Sequence, residues 1–156
     1  MRRTEAESMR TYAIGSALQR VIRALDGLDE AELNWRPAED ANSLAVIAMH
    51  VYANIEENIL GILLGEDIQR DRDAEFAHGS IPRSNVTARG EAVRGRIDEA
   101  LSTLTQTDLE RMCHHPRRGD LSGREVLLVA GRHAAEHAGH AELTRVLIMA
   151  RSQRAG

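Results

Sequence analysis

Two histidines four residues apart, His133 and His137, are the clearest sign of chemistry in this 156-residue sequence. Their segment has the pattern of a long helix, on which side chains at positions i and i+4 stand one above the other. Both fall within an apolar stripe, where burying an imidazole without a partner is costly. A metal ion would bind their nitrogens, so we interpret the pair as ligands of one divalent ion. The alternative is a pair of core histidines bonded to other protein groups.

A third ligand must come from another helix, because two ligands on one helical turn do not complete a metal site. His50 is the candidate, since it lies at the edge of the apolar face of a second predicted helix. Asn54 and Glu57 share that flank and could hydrogen-bond and orient His50. Alternatively, His50 lies at the boundary of the core and hydrogen-bonds a backbone carbonyl. Asn54 and Glu57 would then be surface residues.

Helical periodicity predicts the elements that position these residues. The four predicted helices run from about Thr4 to Asp26, Ser43 to Leu64, Asn85 to Leu104 and Ser122 to Arg151. Thr4 with Glu7, and Ser122 with Glu125, have the spacing of capping boxes at the first and last helix. Asn42 is the expected cap of the second helix.

The segments between these helices are predicted to be irregular. Residues 29–41 and 66–84 are polar, contain proline or glycine and lack an apolar period, which indicates long connections. Residues 107–112 could form a short helical turn, and 113–120 a loop. Long connections favour a four-helix bundle with crossovers over a simple up-and-down bundle.

Composition is consistent with one all-α domain over residues 1–156. The chain is long enough for one core, and its single Trp, two Tyr and single Phe are few for a β protein. The net charge of -4 gives no electrostatic footprint for nucleic acid or anionic lipid. No apolar run approaches the ~20 residues of a membrane span, and Met1 to Arg10 lacks the apolar segment of a secretory signal. We therefore expect a cytoplasmic protein that binds neither membrane nor nucleic acid.

Several catalytic classes are excluded by missing residues. All 20 basic residues are arginines, which excludes Schiff-base chemistry and a P-loop lysine. Cys113 is the only cysteine, so an internal disulfide and a thiolate-rich zinc site are excluded. His114 and His115 follow it directly, and adjacent residues do not face one another as nucleophile and base. A di-iron site needs two helical E-x-x-H motifs, and only Glu75 to His78 fits, in a predicted loop.

The order of these motifs resembles the DinB superfamily over nearly the whole chain. Members of that family carry a histidine in the second helix after a Ser-Leu pair, and an H-x-x-x-H pair in the fourth helix followed by x-G-Q. Here Arg36-Pro37 and Asn42-Ser43-Leu44-Ala45 precede His50, and the H-x-x-x-H pair is followed by Ala-Gly-His140. His140 stands where the family usually has Gln. It could be a fourth ligand, a hydrogen-bond partner of a ligand, or a variant of that Gln.

The resemblance implies a four-helix bundle, often dimeric, with one divalent ion at His50, His133 and His137. Zinc and nickel are the expected metals. The family's activities imply a small thiol and an electrophilic small molecule as the substrates of a homodimeric metal-dependent thiol transferase. Three histidines that leave one position open suit this chemistry, because the metal could ionise a bound thiol or water. The alternatives are a metal-dependent hydrolase and a metal-stabilised binding or stress-response module without turnover. No catalytic residue beyond the ligands is predicted.

Overall fold

Four long helices form the framework of the computed structural model, which describes residues 3–76 and 79–155. Their bounds are Glu5–Ser8, Met9–Ile14 and Gly15–Ala24 for the continuous helix α1, Leu44–Glu56 and Glu57–Leu63 for α3, Arg83–Thr103 for α5, and Gly123–Ala155 for α7. The second segment of α1 and that of α3 are π-helical. The prediction of a four-helix bundle is confirmed. His78, the end of the E-x-x-H match, lies outside the described residues.

Short elements lie between the long helices in the described ranges. They are the helices α2 (Glu30–Asn34), α4 (Arg72–Glu75) and α6 (Gln106–Glu110), and the strands β1 (Met112–His115) and β2 (Gly119–Ser122). The strands pair antiparallel, with Met112 opposite Ser122 and His115 opposite Gly119. The prediction of a plain loop over 113–120 was therefore wrong. Gly119 ends the turn in the left-handed conformation, at a φ of 76°, which glycine adopts without a steric penalty.

The helix starts follow local capping chemistry. The capping boxes of Thr4 with Glu7 and of Ser122 with Glu125 are both present. At α3 the prediction was one residue early, because the side chain of Ser43, not that of Asn42, accepts the Val46 amide. Ser43 has the extended backbone that places its hydroxyl oxygen over the first turn.

The core lies where the long helices meet. Helix α1 packs on α5 and α7, and α3 packs on the same two helices. The buried face of α7 carries a run of alanines, Ala130, Ala134, Ala138 and Ala141. Small side chains allow neighbouring helices to approach closely, so the imidazoles of α7 come within reach of α3. No helix of the described residues is both long and apolar enough to cross a membrane.

Candidate metal centre

His50 of α3 meets His133 and His137 of α7 where the two helices pack together. One ring nitrogen from each of the three lies within 4.8 Å of the other two. His50 Nε2 and His133 Nε2 are 3.0 Å apart. Ligands at about 2.0 to 2.1 Å from a tetrahedral zinc ion would have nitrogens about 3.3 Å apart. The three side chains are therefore close enough together to bind one ion.

All three imidazoles are held in the neutral form. Burial lowers the pKa of His133 to about 3 and that of His137 to about 4, and neighbouring histidines add to the effect. Burial also lowers the pKa of His50, against the opposing influence of Glu75. A neutral imidazole has one nitrogen lone pair free to bind a metal, so the cluster has the protonation state that metal binding requires.

Glu75 of α4 selects the nitrogen of His50 that faces the cluster. His50 Nδ1 lies 2.7 Å from Glu75 Oε2, and the side chains of both residues are almost inaccessible to solvent. A carboxylate can only accept this hydrogen bond, so Nδ1 carries the proton and Nε2 keeps its lone pair. This carboxylate–histidine pair is the arrangement that commonly orients metal-binding histidines in proteins.

Arg70 holds Glu75 in place and links it to the rest of the site. Its Nε and Nη2 donate to the two oxygens of Glu75 at 2.5 and 2.9 Å, and its Nη1 donates to Glu57 Oε2 at 2.6 Å. Arg117, in the turn between the strands, donates to the same Glu57 at 2.5 Å. Burial raises the pKa of Glu57, but the hydrogen bonds from Arg117 and Arg70 outweigh it and lower that pKa overall. The network joins α3, the 64–82 connection and the β-hairpin behind His50.

The other predicted site residues lie around the three histidines. Neither Asn54 nor Glu57 hydrogen-bonds His50; Asn54 instead accepts from Asn58 Nδ2 through its backbone oxygen, at 2.8 Å. His140 is exposed, and its Nδ1 is 3.4 Å from Nδ1 of His137. The sequence analysis missed Glu75 as the partner of His50. The only sequence feature that involved Glu75 was the E-x-x-H match from Glu75 to His78, and that motif is typical of a di-iron site.

Two clefts border the three histidines. One of about 230 Å³ is bounded by His50 and His133 and has a strongly basic lining. A second of about 270 Å³ lies beside His137 and His140, and its other walls include the apolar side chains of Ile47, Leu143 and Leu147. A small molecule could therefore reach the cluster from a charged side and from an apolar side.

Comparison with known families identifies one match. The family model described as the DinB superfamily matches residues 13–141, a span that includes all three histidines. A search of curated proteins finds no significant match.

Solved structures with the same fold cover most of the chain. A conserved protein of Enterococcus faecalis is 16% identical, with a TM-score of 0.72 over 96% of this chain and 99% of its own. YfiT of Bacillus subtilis, described as a probable metal-dependent hydrolase with an unusual four-helix bundle topology, is 14% identical, with a TM-score of 0.67 over 98% and 90%. A mutant of a mycothiol-dependent maleylpyruvate isomerase is 19% identical, with a TM-score of 0.66 over 86% of this chain but 60% of its own. At these identities the likeness establishes the fold.

Proposed function

The chain belongs to the DinB superfamily, and from that premise we propose that His50, His133 and His137 bind one divalent metal ion that serves the transfer of a small thiol to an electrophilic molecule. The observation that carries the proposal is the meeting of three neutral imidazoles, with their nitrogens within 4.8 Å, beside two clefts. Nitrogen ligands suit zinc and nickel, the metals we propose. Such an ion would supply the Lewis acidity that keeps a bound thiol ionised.

The protein's own residues would prepare this site in three ways. Glu75 holds the proton of His50 on Nδ1, so that Nε2 is free to bind. Burial keeps His133 and His137 neutral. The apolar cleft beside His137 has room for an electrophile, while the basic cleft is the second route to the cluster.

A hydrolase is the second candidate function. YfiT, whose fold this chain shares, is described as a probable metal-dependent hydrolase. The mycothiol-dependent isomerase has the same fold and supports the leading proposal, in which a thiol is the substrate. In a hydrolase the ion would activate water in place of a thiol. A metal ion that binds neither a thiol nor water would favour the third candidate, a binding or stress-response module without turnover.

Metal analysis tests the site first. We expect about one zinc or nickel ion per purified chain, and its loss in the double variant His133→Ala with His137→Ala, because His50 alone would not retain the ion. The variant Arg132→Ala, on the same helix but exposed, should keep the metal. Full occupancy in the double variant would contradict the proposed ligands.

Cobalt substitution tests the chemistry. A small thiol added to the cobalt protein should produce an intense sulfur-to-metal charge-transfer band with release of a proton, because the thiol must ionise to bind. His50→Ala should remove the band, and transfer of the thiol to an epoxide or alkyl halide should require the metal. Ester or amide cleavage without thiol binding would favour the hydrolase. A metal that binds neither thiols nor small anions would favour the binding module.

We also propose a homodimer that packs through α7. Several large apolar side chains of this helix are exposed in the single chain, namely Leu143, Val146, Leu147 and Met149. An exposed apolar patch of this kind is typical of an interaction surface. Leu143 and Leu147 also line the cleft beside His137, so a second copy packed there would add a wall to it.

A further inference from the structure

The cleft beside His50 and His133 has an excess of positive charge. Its lining includes four arginines, Arg70, Arg72, Arg117 and Arg118. Arg70 and Arg117 are compensated, because they pair with Glu57 and Glu75. Among the described residues, no carboxylate lies within ion-pair distance of Arg72 or Arg118, so two cations remain uncompensated.

Both uncompensated charges act on the histidine cluster. The charge of Arg72 contributes to lowering the pKa of His50, and that of Arg118 contributes to lowering the pKa of His133. Arg72 also lies over the ring of Phe76, with its guanidinium carbon 5.4 Å from the ring centroid. Stacking of this kind restrains a guanidinium while leaving its edge free to donate hydrogen bonds.

Neutral polar groups complete the lining. His115 is buried and accepts the Arg117 amide at Nδ1, 3.1 Å away, so the neutral ring carries its proton on Nε2. Asn58 is also buried, and its Oδ1 has no hydrogen-bond partner within the described part of the chain. The cleft thus combines cations with a neutral imidazole and a neutral amide, neither of which offsets the positive charge.

We propose that this cleft binds an anionic group of the substrate, a carboxylate or a phosphate, through Arg72 and Arg118, and thereby directs the rest of the molecule to the histidine cluster. Guanidinium groups bind both kinds of anion through paired, charge-assisted hydrogen bonds. A divalent ion at the histidines would increase the positive potential further. The inference rests on the proposed function and specifies it: the thiol is an anionic one.

Matched thiols test the proposal on the cobalt-loaded protein. The charge-transfer band gives the Kd of 3-mercaptopropionate, of 2-mercaptoethyl phosphate and of the neutral 3-mercaptopropionamide. We expect an anionic thiol to bind at least about tenfold more tightly than the amide at low salt, with the difference shrinking as salt is added. Whichever anion binds more tightly identifies the group that the cleft accepts.

Variants that remove charge show which arginines cause the preference for anionic thiols. Arg72→Gln with Arg118→Gln should abolish the preference, so that the anionic thiols and the neutral amide bind with similar Kd values, and should leave the metal content unchanged. The control Arg132→Gln removes a charge from the exposed face of α7, outside the cleft, and should keep the preference. Equal binding of the three thiols, or an unchanged preference in the double variant, would overturn this inference and leave thiol transfer standing.

A thiol-free measurement separates the two proposals. If no thiol produces a band, the proposed transferase fails, and calorimetry of the zinc-loaded protein with propionate and inorganic phosphate still tests the cleft. Binding that is lost in Arg72→Gln with Arg118→Gln but kept in Arg132→Gln supports the anion site. Absence of binding, or binding equal in all three proteins, contradicts it.

Discussion

The protonation of single side chains decides what this site can bind. Of the three imidazoles in contact, His50 donates its Nδ1 proton away from the other two, to Glu75. Its Nε2 lone pair therefore faces His133 Nε2 at 3.0 Å. The carboxylate of Glu75 thus leaves on His50 the lone pair that the proposed metal site requires and that can also accept a hydrogen bond from His133.

Removing the charge of that carboxylate should weaken metal binding. We expect Glu75→Gln to lower metal affinity by about 10- to 100-fold, the usual effect of losing an orienting partner. The amide also places a donor against Arg70, which donates to both oxygens of Glu75 in the native protein. Competition with a chelator measures the affinity, with the exposed Glu136→Gln on α7 as the control. Native affinity in Glu75→Gln would show that Glu75 does not position His50.

A comparison of His50 with His140 tests the choice of third ligand. His50 is buried against His133, whereas His140 is exposed and its Nδ1 lies 3.4 Å from Nδ1 of His137. We expect His50→Ala to cost much more metal affinity than His140→Gln, which should stay within about tenfold of the native protein. The same chelator competition measures both. Loss of the metal in His140→Gln and its retention in His50→Ala would reverse the assignment.

Among the elements, ion pairs link α3 to the connection that follows it and to the β-hairpin, beside the apolar packing of Ile68 and Cys113. Glu57 accepts hydrogen bonds from Arg70 of the connection and from Arg117 of the hairpin turn; Arg70 and Glu57 are largely buried, whereas Arg117 is exposed. These contacts are local in space but 13 and 60 residues apart along the chain. Ion pairs to a long helix thus add to the apolar contacts that hold these short elements in position.

This attachment should make folding stability sensitive to acid. The folded-state pKa of Glu57 lies below its ordinary value near 4.5, so the unfolded chain binds its proton first. The contribution of Glu57 is therefore fully present above about pH 4.5 and is lost as the pH falls below it. Denaturant unfolding at pH 6 and pH 4 should show a smaller acid loss in Glu57→Gln than in the native protein. Glu136→Gln is the exposed control, and an equal acid loss in both variants would contradict the prediction.

The contact between α3 and α5 depends on a glycine. A Cβ added to Gly90 would lie 2.6 Å from the hydroxyl oxygen of the buried Tyr52, which has no hydrogen-bond partner in the described residues. Gly90→Ala should therefore destabilise the protein by about 1 to 3 kcal/mol through overpacking. Tyr52→Phe in the same chain should recover part of that loss.

Another glycine of the same helix provides the control. A Cβ on Gly95 meets nothing within 4 Å, so Gly95→Ala should stabilise by up to about 1 kcal/mol through helix propensity. Urea unfolding compares all three variants with the native protein. Equal free energies of unfolding for Gly90→Ala and Gly95→Ala would contradict the prediction. They would mean that α3 and α5 move apart to accommodate the added methyl group at little cost in free energy.

For the molecule as a whole, the exposed face of α7 leads to a prediction about assembly. Sedimentation should show that the native protein is a dimer and that Leu143→Glu with Val146→Glu is a monomer. Leu143 and Val146 are more than half exposed in the single chain. The glutamates in their place would be buried as charges in the dimer interface, which is costly. Tyr12→Glu places the same charge at an exposed position of α1 and should leave the dimer intact. A native monomer at all concentrations would contradict the proposed dimer.

Local patterns were enough to predict the helical framework. Capping boxes and apolar periodicity involve residues three or four positions apart, so they can be read without knowing what packs against them. The four long helices and the spacing of His133 and His137 followed from such patterns. The third long helix, α5, begins at Arg83, directly after Pro82 and two residues earlier than predicted.

Only the tertiary structure decided how the site is completed. Glu75, Arg70 and His115 lie in segments without an apolar period. Glu75 bonds His50, 25 residues away, and the hairpin that carries His115 is linked through Arg117 to Glu57, 60 residues away. The neutral state of the imidazoles is likewise a result of burial, which depends on the packing of α3 on α7. The sequence alone determined the helices and two histidines on one turn, because these depend on near neighbours. The orienting carboxylate, the basic cleft and the protonation state depend on contacts between segments far apart in the chain, for which no local pattern exists.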